Sequence, residues 1–274
     1  MKNNGEAIAF GDCFLTGDYM ALQILQIPCL QDNYGYLIHD GASGATASID
    51  TPEVGPINAA LKANGWKLTH ILNTHHHADH AGGNLELKAT WHCTIVGPRA
   101  DRDRIPGIDI EVGDGENYPL GDAQAKVFDV PGHTRGHIAY YFAEAQAAFV
   151  GDTIFALGCG RMFEGTPEQM WGSLSKLAAL PDTTKLYCAH EYTAANARFA
   201  LSVEPNNVAL QQRVALVTQL RAANRPTVPS TVAEEKATNP FLRPASVELQ
   251  QQLGMVGQPL VAIFAETRRR KDHF

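Results

Sequence analysis

Histidine and aspartate crowd one short stretch of this chain. Thr74-His75-His76-His77-Ala78-Asp79-His80 packs His75, His77, Asp79 and His80 into six residues. Imidazole suits zinc and its neighbours, and an adjacent carboxylate accepts a harder ion or a bridging role. His75 and His77 alternate along an extended end and so point the same way. Asp79 and His80 lie beyond a bend and can face a second ion. A His-rich surface loop would need nothing else, but a metal site needs partners from elsewhere. The chain supplies three: His133 in Gly132-His133-Thr134-Arg135-Gly136-His137, Asp152 in Gly151-Asp152-Thr153, and His190 in Ala189-His190-Glu191-Tyr192. His76 alternates away from its neighbours. It and His137 read as packed or hydrogen-bonding groups beside the ligands, with Thr74 and Thr134 as further hydrogen bonders.

Short strands must position these residues. His133, Asp152 and His190 follow the apolar runs 127–130, 147–150 and 186–188. Strand ends that carry side chains on loops place polar chemistry on a rigid sheet. Residues 68–73 read as a buried strand leading into His75, and Ala81-Gly82-Gly83-Asn84 as a turn into a helix. Strands are expected at 21–27, 34–39, 45–50, 69–73, 93–96, 126–130, 137–143, 147–150 and 184–189, with helices at 56–64, 81–89 and 166–180. In the last of these Thr166 is an N-cap, Pro167 suits the first helical position and Gln169 completes a capping box. Met170, Leu174 and Leu177 follow at helical spacing as core. Two strand groups with outer helices suggest an αββα sandwich. After Tyr192 the texture becomes helical. Residues 207–223 put Leu210, Val214, Val217 and Leu220 on one face, and Arg225-Pro226 ends that helix. Shorter helices are expected near 230–237, 246–253 and 258–266.

Taken together, His-x-His-x-Asp-His, Gly-His-Thr-x-Gly-His, Gly-Asp-Thr and His-Glu-Tyr resemble the metallo-β-lactamase superfamily. The resemblance narrows to its glyoxalase II (hydroxyacylglutathione hydrolase) branch through four further segments: 158–166, 188–193, Asn239-Pro240-Phe241-Leu242-Arg243 and Arg268-Arg269-Arg270-Lys271-Asp272. It spans about Met20 to Phe274. It implies a metallo-β-lactamase-like catalytic domain over 20–192 and a helical glutathione-binding domain over 193–274, with 1–19 an extension outside the pattern. It also implies one metal on His75, His77 and His133, a second on Asp79, His80 and His190, and Asp152 bridging them. Two divalent ions about 3.5–4 Å apart would clamp attacking and leaving atoms. Zinc is the first expectation, and His/Asp sets also accept iron or manganese. A water bridging the ions would ionise near a pKa of about 7, giving a hydroxide nucleophile with no Ser or Cys triad. Asp79 sits where a carboxylate could orient it.

On the substrate side the resemblance matches Arg161, Tyr192, Arg268 and Lys271 to glutathione contacts. Phe163 stands where some members have Tyr, so one phenolic hydrogen bond is replaced by packing. From charge alone, residues 268–271 read as a solvated terminal run; only the resemblance assigns them to glutathione. The implied reaction is hydrolysis of S-D-lactoylglutathione to D-lactate and glutathione, the second step of methylglyoxal detoxification.

Composition sets outer bounds. A chain of 274 residues, 45% hydrophobic, is long enough to bury a core. A net charge of -7 argues against nucleic acid as a partner and against a tRNA-processing nuclease. No apolar run approaches a membrane span, and residues 1–20 have no secretory h-region. Five cysteines form an odd set without metal-finger spacing, which fits a reducing cytoplasm. Cys159 reads as a packing residue. A monomer acting on a small thioester is expected. The nearest alternative is a glutathione persulfide dioxygenase with one iron, against which the complete second ligand set and the helical tail argue. A β-lactamase fits less well, because the second set lacks a Cys. A non-catalytic metal-binding protein would be expected to have lost ligands, and none of the seven is missing.

Overall fold

Alternation along the strands builds a layered structure, described by a computed structural model over residues 22–274. The extension at 1–19 lies outside the described residues. The first half runs β1 (Leu22–Cys29), β2 (Asn33–Asp40), β3 (Thr46–Ile49), α1 (Val54–Asn64), β4 (His70–Leu72), α2 (Ala78–Ala81), α3 (Asn84–Trp91), β5 (Thr94–Pro98) and β6 (Ile110–Val112). These six strands form one sheet in chain order, antiparallel up to β3 and parallel beyond it. Successive side chains face opposite sides. Tyr36, Ile38, Leu72 and Val96 therefore enter the inter-sheet core, while Leu37, Ile71 and Ile95 pack under Ile57 and Leu61 of α1 and Leu87 of α3.

The second half runs β7 (Asn117–Leu120), β8 (Ala123–Asp129), β9 (Ile138–Phe142), β10 (Ala147–Gly151), the hairpin β11 (Ile154–Phe155) and β12 (Gly158–Cys159), α4 (Pro167–Ala178) and β13 (Lys185–Cys188). It continues with α5 (Thr193–Val203), α6 (Val208–Ala222), β14 (Ser230–Thr231), α7 (Val232–Thr238), α8 (Val247–Leu253) and α9 (Leu260–Asp272). The second sheet is ordered β14-β13-β10-β9-β8-β7. The Thr166/Gln169 capping box forms, and Met170, Leu174 and Leu177 are buried.

Four features depart from the sequence reading. The helix expected at 81–89 starts only at Asn84, after the short α2, and the Gly83 N–H between them goes to the Thr51 carbonyl at 3.0 Å, where a Cβ would stand 2.9 Å from that oxygen. The expected one-sided face of α6 is only partly covered: Leu210 and Val217 are buried, Val214 and Leu220 half-buried. The helical region also lends a strand to the second sheet, Lys185 pairing with Thr231 and Leu186 with Ser230. The last helix runs on to Asp272, which puts the basic cluster on a helix rather than a tail.

Buried polar groups fasten the helical region to the β11–β12 hairpin. Asn239 Nδ2 donates to Phe155 O at 3.2 Å, Gly158 O at 2.9 Å and Glu235 Oε2 at 2.8 Å. Glu235 in turn accepts the Leu157 N–H at 2.9 Å. Backbone groups left unpaired in the interior would be costly, so these bonds fix the hairpin that leads to Arg161.

Candidate metal centre and substrate cavity

All seven His and Asp residues singled out above converge at one edge of the two sheets. His75 and His77 follow β4, Asp79 and His80 lie in α2, and His133, Asp152 and His190 follow β8, β10 and β13. His77 Nδ1 lies 3.1 Å from His75 Nε2 and 3.0 Å from His133 Nε2. Nitrogen ligands about 2.0–2.1 Å from a tetrahedral zinc stand about 3.4 Å apart, so these two edges are near that spacing, and all three ligand atoms lie within 4.8 Å of one another. Asp79 Oδ2 lies 3.7 Å from His80 Nε2 and 3.5 Å from His190 Nε2. Asp152 spans both groups: Oδ1 is 3.4 Å from His80 Nε2, and Oδ2 is 3.4 Å from His190 Nε2 and 3.5 Å from His133 Nε2. His80 Nε2 and Asp152 Oδ1 are buried and have no hydrogen-bond partner among the described residues. Unpaired polar atoms of this kind cost stability unless something else ligates them. The donor set fits two divalent cations.

The imidazoles are held from behind. Asp50 Oδ2 pairs with His80 Nδ1 at 2.8 Å and accepts from Thr74 Oγ1 at 2.8 Å, and that hydroxyl lies 3.0 Å from His75 Nδ1. Asp32 pairs with His190 Nδ1 at 3.0 Å, and the Arg161 carbonyl accepts from His133 Nδ1 at 2.9 Å. Each of these four rings so turns Nε2 inward; His77 alone presents Nδ1. His76 turns away to Asp101 at 3.0 Å and to Arg104 at 3.2 Å. Arg104 also grips Glu164 at 2.5 Å. His137 stacks on His75 at 4.5 Å and accepts the Asp152 N–H at 3.1 Å. Thr134 does not act as a hydrogen bonder: its buried hydroxyl finds no partner among the described residues. Asp32, Asp50 and Asp101 were missed from sequence, as was Asn33, which donates to Asp79 Oδ2 at 3.1 Å. One signal existed for Asp50, since Ile49-Asp50-Thr51 repeats the strand-end pattern of Gly151-Asp152-Thr153.

Protonation divides the cluster. Burial, joined by repulsion among the rings, holds His75 and His77 below the usual histidine range. Burial likewise lowers His133 and His137. These rings are neutral, the form that ligates metal. Burial also opposes charge on His80 and His190, but carboxylates outweigh it: Asp152, Asp50 and Asp79 raise His80, and Asp152 and Asp32 raise His190. Burial would raise Asp152, yet the surrounding imidazoles hold it far below the carboxylate range.

A cavity of about 460 Å³ opens from His77, Asp79, His133, Asp152 and His190 and reaches Arg161, Arg268 and Lys271. Phe155, Cys159, Phe163 and Tyr192 wall it. Tyr192 stacks on His190 at 4.7 Å, and burial, with nearby carboxylates, pushes its hydroxyl up to about 12, so it stays a phenol. Phe163 is exposed, its ring 5.2 Å from that of His133. Burial pushes the Cys159 thiol up to about 11, which suits packing and not nucleophilic attack. The basic cluster is not a solvated run. Arg268 is only 4% exposed, donating to Cys159 O and Asp272 Oδ1, both at 2.8 Å, with its guanidinium 5.0 Å over Phe241. Lys271 is half-buried, its ammonium 5.7 Å from the Phe199 and Phe274 rings. Arg269 and Arg270 pair instead with Glu266, away from the cavity.

Comparison with known proteins gives matches over nearly the whole length. The family model described as Metallo-beta-lactamase superfamily matches residues 40–190, and the one described as Hydroxyacylglutathione hydrolase C-terminus matches residues 191–274. A protein from Methylococcus capsulatus named hydroxyacylglutathione hydrolase is 60% identical over 253 residues, 92% of this chain and 99% of its own. One of the same name from Maricaulis maris is 58% identical over 253 residues, with the same shares of each chain. Among solved structures, the BLEG-1 B3 metallo-beta-lactamase aligns with a TM-score of 0.63 and 20% identity over 81% of this chain and 100% of its own. ETHE1 from Myxococcus xanthus aligns with a TM-score of 0.62 and 24% identity over 92% and 98%. At those identities the structural likeness concerns the fold.

Proposed function

This chain belongs to the hydroxyacylglutathione hydrolase family of the metallo-β-lactamase superfamily, and from that premise we propose that it hydrolyses S-D-lactoylglutathione to D-lactate and glutathione, the second step of methylglyoxal detoxification. The observation that carries the reading is one cavity that joins the His/Asp donor set to three cations. Glutathione thioesters bring a reactive carbonyl and two carboxylates, which match those two ends.

His75, His77 and His133 would hold one divalent ion and Asp79, His80 and His190 a second, with Asp152 between them. The ions, zinc first and iron or manganese as alternatives, would supply Lewis acidity to the thioester carbonyl and lower the pKa of water to about 7. Asn33 steadies the Asp79 carboxylate at 3.1 Å, so that it can accept a proton from the attacking water. The water oxygen adds to the carbonyl carbon and the C–S bond breaks. Sulfur leaves as a thiolate whose parent pKa of about 8.5 asks little protonation help. It takes up the proton released by the water. Tyr192, kept as a phenol, can donate to the glutathione backbone, and Phe163 packs against it. Arg161 and Lys271, with Arg268 behind them, pair with carboxylates.

In this reading residues 20–192 do the chemistry and 193–274 hold the glutathione moiety. Among the described residues Cys29, Cys93, Cys159 and Cys188 are buried and free, in line with the reducing compartment expected from the sequence. Among the described residues no helix is long and apolar enough to cross a membrane. The complete second donor set favours hydrolysis over a one-iron dioxygenase. The test is thiol release from S-D-lactoylglutathione together with metal analysis of the same preparation. Close to two ions per chain and activity lost on chelation are expected. A metal-free preparation with full activity would overturn the mechanism.

A further inference from the structure

A carboxylate stands beside the cationic end of the cavity, against two of the arginines that line it. Asp272, in the last turn of α9, accepts from Arg268 Nη2 at 2.8 Å through Oδ1, and the same oxygen lies 3.8 Å from Arg161 Nε. Its side chain is 36% exposed, so Asp272 is open to a ligand as well as to its two arginines. A site built only for anions gains nothing from a carboxylate here, because like charge repels the incoming group. Nor is it the only restraint on Arg268, which the Cys159 carbonyl and the Phe241 ring already hold. The contribution that remains is a place for positive charge between cations.

We propose that Asp272 is a specificity-determining residue: it makes this end of the cavity select a ligand that carries an ammonium beside its carboxylates, over simple polyanions. The proposal rests on the glutathione-thioester reading above. The γ-glutamyl end of glutathione has an α-ammonium next to an α-carboxylate. The carboxylate pairs with Arg161 or Lys271, and the ammonium with Asp272 Oδ2, the oxygen that makes neither arginine contact.

The test is a two-by-two comparison. Wild type and Asp272→Asn, which keeps shape and an acceptor for Arg268, are each assayed on S-D-lactoylglutathione and on its N-acetylated derivative, which lacks the ammonium. Wild type should show a higher KM for the N-acetylated substrate. In Asp272→Asn the ratio of the two KM values should fall by about fivefold, the size of one partly exposed ion pair. Sulfate should inhibit the variant at lower concentration than wild type. Asp272→Ser, a smaller neutral replacement, should give the same ratio and covers a failure of Asp272→Asn to fold. A merely structural Asp272 would shift both substrates equally; an unchanged ratio, or a wild type indifferent to acetylation, overturns the proposal. Loss of wild-type hydrolysis of both thioesters would instead remove the hydrolase reading, and this inference with it.

Discussion

At the histidine end of the cavity, His75, His80, His133 and His190 are buried and each Nδ1 is pinned by a hydroxyl, carboxylate or carbonyl. At the cationic end Arg161 is exposed and Lys271 rests on aromatic rings. The first end stands on strand ends and the short helix α2 that follows one of them, and the second on a hairpin exit and the last turn of a helix. Metal ligation depends on positions within tenths of an ångström, so it calls for rigid backing. Charge recognition acts over longer distances and tolerates movement. Damage to the first end should therefore appear in metal content and kcat, and damage to the second in KM.

The largest effect is expected from Asp152→Ala. It removes the carboxylate facing both donor groups, and its loss should exceed the roughly 10–100-fold typical of groups that only support a ligand. Metal analysis should find fewer than two ions per chain; wild-type activity in this variant would break the comparison. Next come the supporting carboxylates. Asp50→Ala should lower metal affinity or activity by about 10–100-fold. Asp32→Ala should cost less, because Asp50 serves His80 directly and His75 through Thr74, whereas Asp32 serves only His190. A metal titration of the two variants decides it.

At the other end, Lys271→Ala should raise KM about tenfold with kcat near wild type, at the low end of a charge-assisted bond because the site is half-exposed. Added salt should shrink the difference. Arg268→Ala should also lower Tm, because it strips partners from the Cys159 carbonyl and Asp272; equal Tm values in the two variants would contradict the buried role of Arg268. The smallest effect concerns the ion pair behind His76. The Arg104 hydrogen bond lowers Glu164 from near 4.5 to about 2, against burial and with help from the Arg135 N–H. A depressed folded-state pKa gives stability that is present above about 4.5 and lost as pH falls toward 2. Glu164 is partly exposed, so its share is ~1 kcal/mol. Glu164→Gln should lack that acid-dependent step in thermal unfolding measured between those pH values.

Spacing revealed most of what lies near in sequence. Alternation in His75 and His77, the strand ends before His133, Asp152 and His190, and the Thr166 capping box are all written within a few residues. The backing carboxylates were less legible. Asp32 and His190 are separated by 158 residues, and Asp50 and His80 by 30. An aspartate with no neighbouring ligand looks like any loop aspartate until packing supplies its partner. Thr134 errs the other way, lying in the motif while its hydroxyl is hydrogen-bonded to no described residue.

By itself, the sequence determined the layered class, the residue types of the metal set and the turn to helices after Tyr192, because periodicity, capping and ligand spacing are local properties of the chain. Only tertiary structure decided that β14 joins the second sheet, that Asp50 stands behind both donor groups, and that Arg268 is buried while Arg269 and Arg270 face Glu266. Those outcomes depend on which surfaces meet when the sheets and helices pack, and four consecutive basic residues carry no mark of which will be inside.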